Sequence, residues 1–294
     1  MAVLVLGVTI FSLGPVMVAA TDVSGPVLSF WRLWFGSTVL LVVTVPYLRR
    51  HGWPTRSGWR WAALCGVAFG LHQLLFMSAI KQTSVVDVTL MNTLAPVVVA
   101  VLAVPMFGER PGVPFRVWSA VAIVGAGAVA LLGSSGPEGN PVGMLLAAGN
   151  VVFYSVYFVW SKRAREVIDT LPWLFGTSVV AALVLSVFVG ASHESVRSIS
   201  AHDLVMAFLI ALLPGIVGHF SVTWSLRWIP ANIPPVLMLS IPVLAGAMAW
   251  LFLGQTVTAG VGIAGVLTIL GVAGAVRSSR ALIVREALDL AEEA

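Results

Sequence analysis

The sequence predicts an all-α integral membrane protein of ten transmembrane helices, arranged as two inverted-topology five-helix repeats. Three observations carry that expectation: a composition that cannot cover itself with water, apolar runs of spanning length, and a polar register that recurs in both halves. Hydrophobic residues make up 59% of the 294 residues and charged residues 10%, with a mean hydropathy of +1.01. A soluble domain carries about 25% charged residues, because its surface must stay wet. In lipid only helices and closed barrels satisfy the backbone. Barrel strands alternate apolar and polar over roughly ten residues. Here the runs are continuous and about twenty residues long, the length of a spanning helix.

Taken in order, the spans read 2–20, 26–48, 59–80, 85–107, 115–133, 141–161, 172–190, 204–227, 232–253 and 259–276. The first, "MAVLVLGVTIFSLGPVMVAA", lacks the basic leader of a cleaved signal peptide and reads as a retained span. The third contains the single cysteine, Cys65, which excludes an internal disulfide and suits helix packing. Small-residue stretches such as "GVAFG" at 66–70 and "GIAGVLTILGVAGA" at 262–275 suit close helix approach. Loops are short, so consecutive spans run antiparallel. With the amino terminus inside, thirteen Lys and Arg residues fall in inside loops and the tail, against Lys81 and Arg197 outside. That bias places both termini in the cytoplasm of a multi-pass cell-membrane protein. Trp53, Trp59, Trp61, Trp160, Trp173 and Trp228 gather near the same inside ends, as interfacial anchors do. The final "RSSRALIVREALDLAEEA" is too polar to span and reads as a cytosolic tail, 277–294. The basic residues sit in short loops, so the net charge of +4 does not point to nucleic acid.

The halves share a register. "GLHQLLFMSAIKQTSVVDVTLMNTLAPV" at 70–97 and "GHFSVTWSLRWIPANIPPVLMLSIPV" at 218–243 bring His72 onto His219 and Ser78 onto Ser225. One gap later Pro96 meets Pro242, and "FGST" at 35–38 echoes "FGTS" at 175–178. Spans 1–5 (residues 1–133) therefore correspond to spans 6–10 (residues 141–276). Five is odd, so equivalent helices run in opposite directions, about a pseudo-two-fold axis in the membrane plane with a cavity at the repeat interface.

That cavity collects the candidate substrate-binding residues. His72 and His219 fall at related depths; the alternative is that each ring donates to a backbone carbonyl and joins helices. Pro96 and Pro242 each free the carbonyl four residues earlier, at Asn92 and Met238, and are expected to kink spans 4 and 9 toward a wet interior. Asn92 adds an amide needing partners at that depth. Phe76 shares the face of His72, while Trp224 lies somewhat off the face of His219. Ser12 in span 1 corresponds to Ser155 in span 6, where Tyr154 and Tyr157 flank it.

"FSLGPVMVAA", "LSFWRLWFGSTVLLVVTVPYLRR" and "IKQTSVVDVTLMNTLAPVVVAVLAVPMFGERP" resemble the EamA-type branch of the drug/metabolite transporter superfamily, with two tandem copies covering nearly the whole chain. The resemblance implies ten helices, cytoplasmic termini and alternating access for small metabolites, usually exported. Its recognisable marks here are Arg32 in span 2 and Glu109–Arg110 after span 4; the second copy departs, with Gln255 where a glutamate is typical. Arg32 lies within snorkelling reach of the outer surface, so surface anchoring stands beside substrate attraction. Glu109 and Arg110 read as an orientation and helix-pairing device. No Asp or Glu lies at mid-depth, which leaves the histidines as titratable candidates for proton coupling.

The expected activity is secondary transport, export above all, of small, partly polar metabolites or drugs such as amino acids or nucleobases. A small-molecule substrate and the bilayer are its partners. No cofactor is expected, and the sequence does not specify a homo-oligomer. A non-transporting receptor or scaffold is the alternative. A membrane enzyme lacks both clustered metal ligands and an activated nucleophile.

Overall fold

Proline, glycine and small polar caps punctuate this chain, and the helices begin and end where they fall. The structure, a computed structural model, describes residues 2–83, 88, 91–108, 111–132, 140–192, 194–197, 199–231, 233–244, 247 and 258–292, with 130 and 279–292 described by backbone alone. Within these, α1 is Ala2–Ala19, α2 Gly25–His51, α3 Arg56–Gln82, α4 Ala95–Phe107 and α5 Val113–Leu132. They are followed by α6 Pro141–Ala164, α7 Thr170–Ser192, α8 Ala201–Ser225, α9 Ile233–Leu244 and α10 Ala259–Glu292. No strand occurs among the described residues. Thr55, Asn140 and Ser200 cap α3, α6 and α8 by accepting from the backbone N–H of Gly58, Val142 and Asp203. Gly52 and Gly108, at φ +86° and +67°, end α2 and α4 in conformations that glycine adopts without strain.

Seven helices are long and apolar enough to cross a membrane; α4, the 113–129 part of α5 and α9 are shorter apolar helices. The helix that carries span 10 continues unbroken to Glu292, through the segment read as a cytosolic tail. The burial pattern is that of a protein dissolved in lipid. Val42, Leu145, Val187 and Ile263 are more than 70% exposed, while Arg32, Asn150, Ser155 and Thr177 are buried. Aliphatic groups face outward because lipid accepts them, and polar groups face inward because lipid does not. The protein is a multi-pass membrane protein.

At the centre, α3 packs on α6 and α7, and α2 packs on α7 and α3. On the other flank α8 packs on α1 and α2, while α9 touches α1, α4 and α10. The outermost pair is α5 with α10. Close approach is made by the small residues singled out in the sequence. A Cβ at Gly66 would stand 2.6 Å from Val180 Cβ, and one at Gly271 would stand 2.4 Å from the backbone nitrogen of Ala122.

The two ends of the bundle are tied by different bonds. At one end the Tyr47 hydroxyl donates to Asp169 at 3.0 Å, and Arg227 approaches the other Asp169 oxygen at 3.4 Å. Arg165 lies buried beside them, donating to the carbonyl of Ile168; burial and the charge of Arg227 push its pKa down to about 10, which leaves it a cation at neutral pH. At the opposite end the backbone of Asp22 donates to Asp203, Lys81 donates to Thr21, and the Trp31 indole donates to the carbonyl of Val196.

Two proline expectations are corrected. Pro96 and Pro242 do not kink continuous helices. Each follows a two-residue interruption, Thr93–Leu94 and Leu239–Ser240, after which the helix restarts. The same break occurs in α1 at Ser12–Leu13, before Gly14–Pro15. The missing proline N–H breaks the four-residue ladder there, and the preceding residues tighten into a turn.

Gly66→Val should lower the melting temperature in detergent by an amount corresponding to roughly 1–3 kcal/mol of overpacking, because the α3–α7 contact has no room for a branched side chain. Gly262→Ala, where nothing lies within 4 Å, should leave it unchanged or raise it. Equal effects of the two would contradict this packing.

Candidate functional site

Four prolines interrupt helices at depth, and their consequences converge. Pro15, Pro96, Pro214 and Pro242 each remove the N–H that would serve the carbonyl four residues earlier, at Phe11, Asn92, Ile210 and Met238. Before three of them the chain tightens to three-residue bonds, as from Leu13 N to Ile10 O at 3.2 Å, Leu94 N to Met91 O at 3.0 Å and Ser240 N to Leu237 O at 3.0 Å. Ser12 and Ser240 add hydroxyl bonds to Thr9 O and Leu237 O at 2.5 and 2.6 Å. At Pro214 the helix instead widens into a π turn over Ala211–Gly218, ending at His219. All four residues whose carbonyls are released line one cavity of about 150 Å³. Irregular backbone at membrane depth survives where it lines a cavity, and discontinuous helices are how such cavities bind ligands.

The polar side chains form two short networks in its wall. The Asn150 side-chain oxygen can only accept, so His72 Nδ1 donates to it at 2.5 Å. Asn150 Nδ2 then donates to Asn92 Oδ1 at 2.8 Å, joining α3 and α6 to the residues before α4. Across the site Tyr157 Oη and His219 Nδ1 lie 3.2 Å apart. Each ring thus has a side-chain partner, Asn150 for His72 and Tyr157 for His219. Phe69 stands between the rings, its centroid 5.9 Å from His72 and 4.8 Å from His219.

Of the residues named from sequence, His72, His219, Asn92, Phe76 and Tyr154 line the cavity, together with Pro242 and Arg32. Tyr157 stands behind His219 as its partner. Ser155 is fully buried and donates to Val151 O in its own helix; Ser12 likewise serves the α1 break. Trp224 belongs elsewhere: it is 39% exposed and packs on Trp228 at 4.4 Å, on the outer face of α8. Arg32 is corrected too. It does not snorkel to the surface but lies 5% exposed in the cavity wall, its guanidinium carbon 6.0 Å from the Phe69 centroid. Pro96 sits just past the break, buried, with its neighbour Ala95 in the wall. Glu109, Arg110 and Gln255 lie outside the described residues.

Sequence reasoning missed Asn150, Gln73 and Pro214. Asn150 offered the signal that singled out Asn92, an amide at the middle of an apolar run. Pro214 stands in the same span as His219, next to Gly215, and marked the π turn. Tyr154 was named, but not its contact with the Met238 sulfur at 2.6 Å, which links α6 to α9.

Comparison with known proteins agrees with this architecture. The chain is 24% identical over 246 residues to YdfC, an uncharacterized transporter of Bacillus subtilis, covering 83% of this chain and 79% of that protein. It is 27% identical over 268 residues to an uncharacterized transporter of Archaeoglobus fulgidus, covering 88% and 90%. A solved crystal structure shares the fold, with a TM-score of 0.78 at 19% identity over 96% of this chain and 97% of its own. The pattern of the EamA-like transporter family matches residues 1–132 and again 141–277, and the chain belongs to that family.

Proposed function

We propose that this protein is a secondary transporter that moves a small, partly polar organic molecule outward across the cell membrane. It does so by alternating access through the cavity between two inverted five-helix halves. One observation carries the reading: four proline-interrupted spans, two from each half, bring the residues four before their prolines, Phe11, Asn92, Ile210 and Met238, to a single cavity that also holds His72 and His219. A fixed scaffold has no need of such a site, whereas a carrier needs binding groups at the boundary of the parts that move.

The contacts support ten crossings with two-fold pairing. Exchanging the halves turns α3 on α6 into α8 on α1, α3 on α7 into α8 on α2, and α4 on α6 into α9 on α1. Helices that would map onto each other meet directly, α2 with α7 and α5 with α10. Ser37 and Ser178, from the echoed "FGST" and "FGTS", lie 3.0 Å apart at the first of these meetings.

In this reading the rings and amides orient the ligand by hydrogen bonds, the apolar wall takes its body, and the tied ends close in turn. The end that holds Tyr47, Asp169 and Arg227 is the cytoplasmic one, because the basic loops and both termini lie there.

Two outcomes follow. Arg56→Cys should react with an impermeant maleimide only after permeabilisation, and Arg197→Cys in intact cells; both sites are exposed, and the native Cys65 is buried. The opposite labelling would invert the topology. In proteoliposomes screened against a metabolite panel, His72→Ala and His219→Ala should each cut transport about tenfold, although an interhelical hydrogen bond in a membrane averages only about 0.6 kcal/mol. Melting temperatures within a few degrees of wild type would separate a binding role from a structural one. Wild-type transport by both variants would remove the histidines from the site.

A further inference from the structure

Among the described residues, the cavity wall carries one fixed charge, and that charge has no ion-pair partner. Arg32 is the only Asp, Glu, Lys or Arg among the described residues that line it. Its side chain is buried, yet Nε has no hydrogen-bond partner, and no carboxylate among the described residues forms an ion pair with it. An unpaired cation is the costliest group to hold inside a membrane, and ionisable groups that persist there are tied to ions or substrates.

Its surroundings are built to keep it. The Phe69 face lies beneath the guanidinium carbon at 6.0 Å. A Cβ at Gly215 would lie 3.5 Å from Nη2 and 3.6 Å from Nε, so the π turn presents a bare backbone beside the guanidinium. A guanidinium offers five donors in a rigid fork that matches a carboxylate two bonds at a time. The remaining wall is largely apolar, from Phe76, Met77, Ile80, Pro235 and Ile241.

We infer that Arg32 is a substrate-binding residue and that the cavity takes an organic carboxylate, its anionic head on the guanidinium and an aromatic or branched apolar body against the wall. This assignment rests on the transporter reading above and narrows its substrate. No described side chain lining the cavity carries a negative charge, so nothing there selects an amine.

The test uses purified protein and matched probes: phenylacetate, 2-phenylacetamide, 2-phenylethylamine and inorganic phosphate. Phenylacetate should raise the melting temperature and bind at least about tenfold more tightly than the amide or the amine, the advantage of a charge-assisted hydrogen bond. Phosphate, an anion without an apolar body, should give no such shift; an equal effect would mean a bare oxyanion or lipid-headgroup site and overturn the assignment. The preference should vanish in Arg32→Gln and persist in part in Arg32→Lys. Without ligand, Arg32→Gln should be at least as stable as wild type, since it removes an unpaired buried charge. If the wild type does not prefer the carboxylate, or Arg32→Gln keeps the preference, the inference fails whatever the transport panel shows. Carboxylate binding without any transport would instead sink the transporter reading and leave the site standing.

Discussion

A backbone carbonyl inside a bilayer has no water to turn to, and the rest of this molecule is arranged around that constraint. Most of the chain meets it by long helices whose bonds close internally, and the large apolar residues those helices expose are mostly Val, Leu and Ile. Four prolines break the rule, and each break is met locally. Ser12 and Ser240 cap tightened turns, the segment after Ile210 opens into a π turn, and the released carbonyls belong to residues of one cavity wall. Irregular backbone survives in the interior, beside the polar groups His72, Asn92, Asn150 and Arg32. The site follows from the solvent.

This explains what the sequence made legible. Apolar length and the prolines at 96 and 242 are local signals, and they pointed to spans and to carbonyls released at Asn92 and Met238. Whether a proline kinks a helix or interrupts it depends on what the preceding two residues can bond to, which is a tertiary matter. Arg32 was placed by distance from a helix end, and distance alone could not reveal Phe69 beneath it or Gly215 beside it. Trp224 followed His219 by five residues, too far round the helix to share its face, and it lies on the outer surface of α8.

The search by repeat was blind wherever the halves differ. In the register that sets Phe11 on Tyr154, Asn150 corresponds to Gly7. A Cβ at Gly7 would stand 2.8 Å from Ser221 Cβ, so that position is committed to close α1–α8 packing, whereas its counterpart carries the amide that holds His72. In the register of the two "FG" motifs, Arg32 corresponds to Pro172. On the proposed two-fold relation the halves differ at the site, and the described cation in its wall, Arg32, comes from the first half. A ligand with one charged end and one apolar end suits such a cavity better than a symmetric one.

The polar networks also constrain how the halves can move. His72 and Asn92 belong to the first half and Asn150 to the second, so the chain His72–Asn150–Asn92 crosses the boundary twice within one pair of hydrogen bonds. Tyr157 and His219 both belong to the second half and travel together. If the halves rock, the first network must shear while the second stays whole. The acceptor Oδ1 and the amide hydrogens of Asn150, with the acceptor Oδ1 of Asn92, would then need new partners at the moment of reorientation, and a buried polar group left without one costs about 1–3 kcal/mol. A ligand in the cavity can supply those partners. In the proposed alternating-access reading, binding would lower the barrier to the rocking step, and without ligand the same bonds that build the site would hold the halves still.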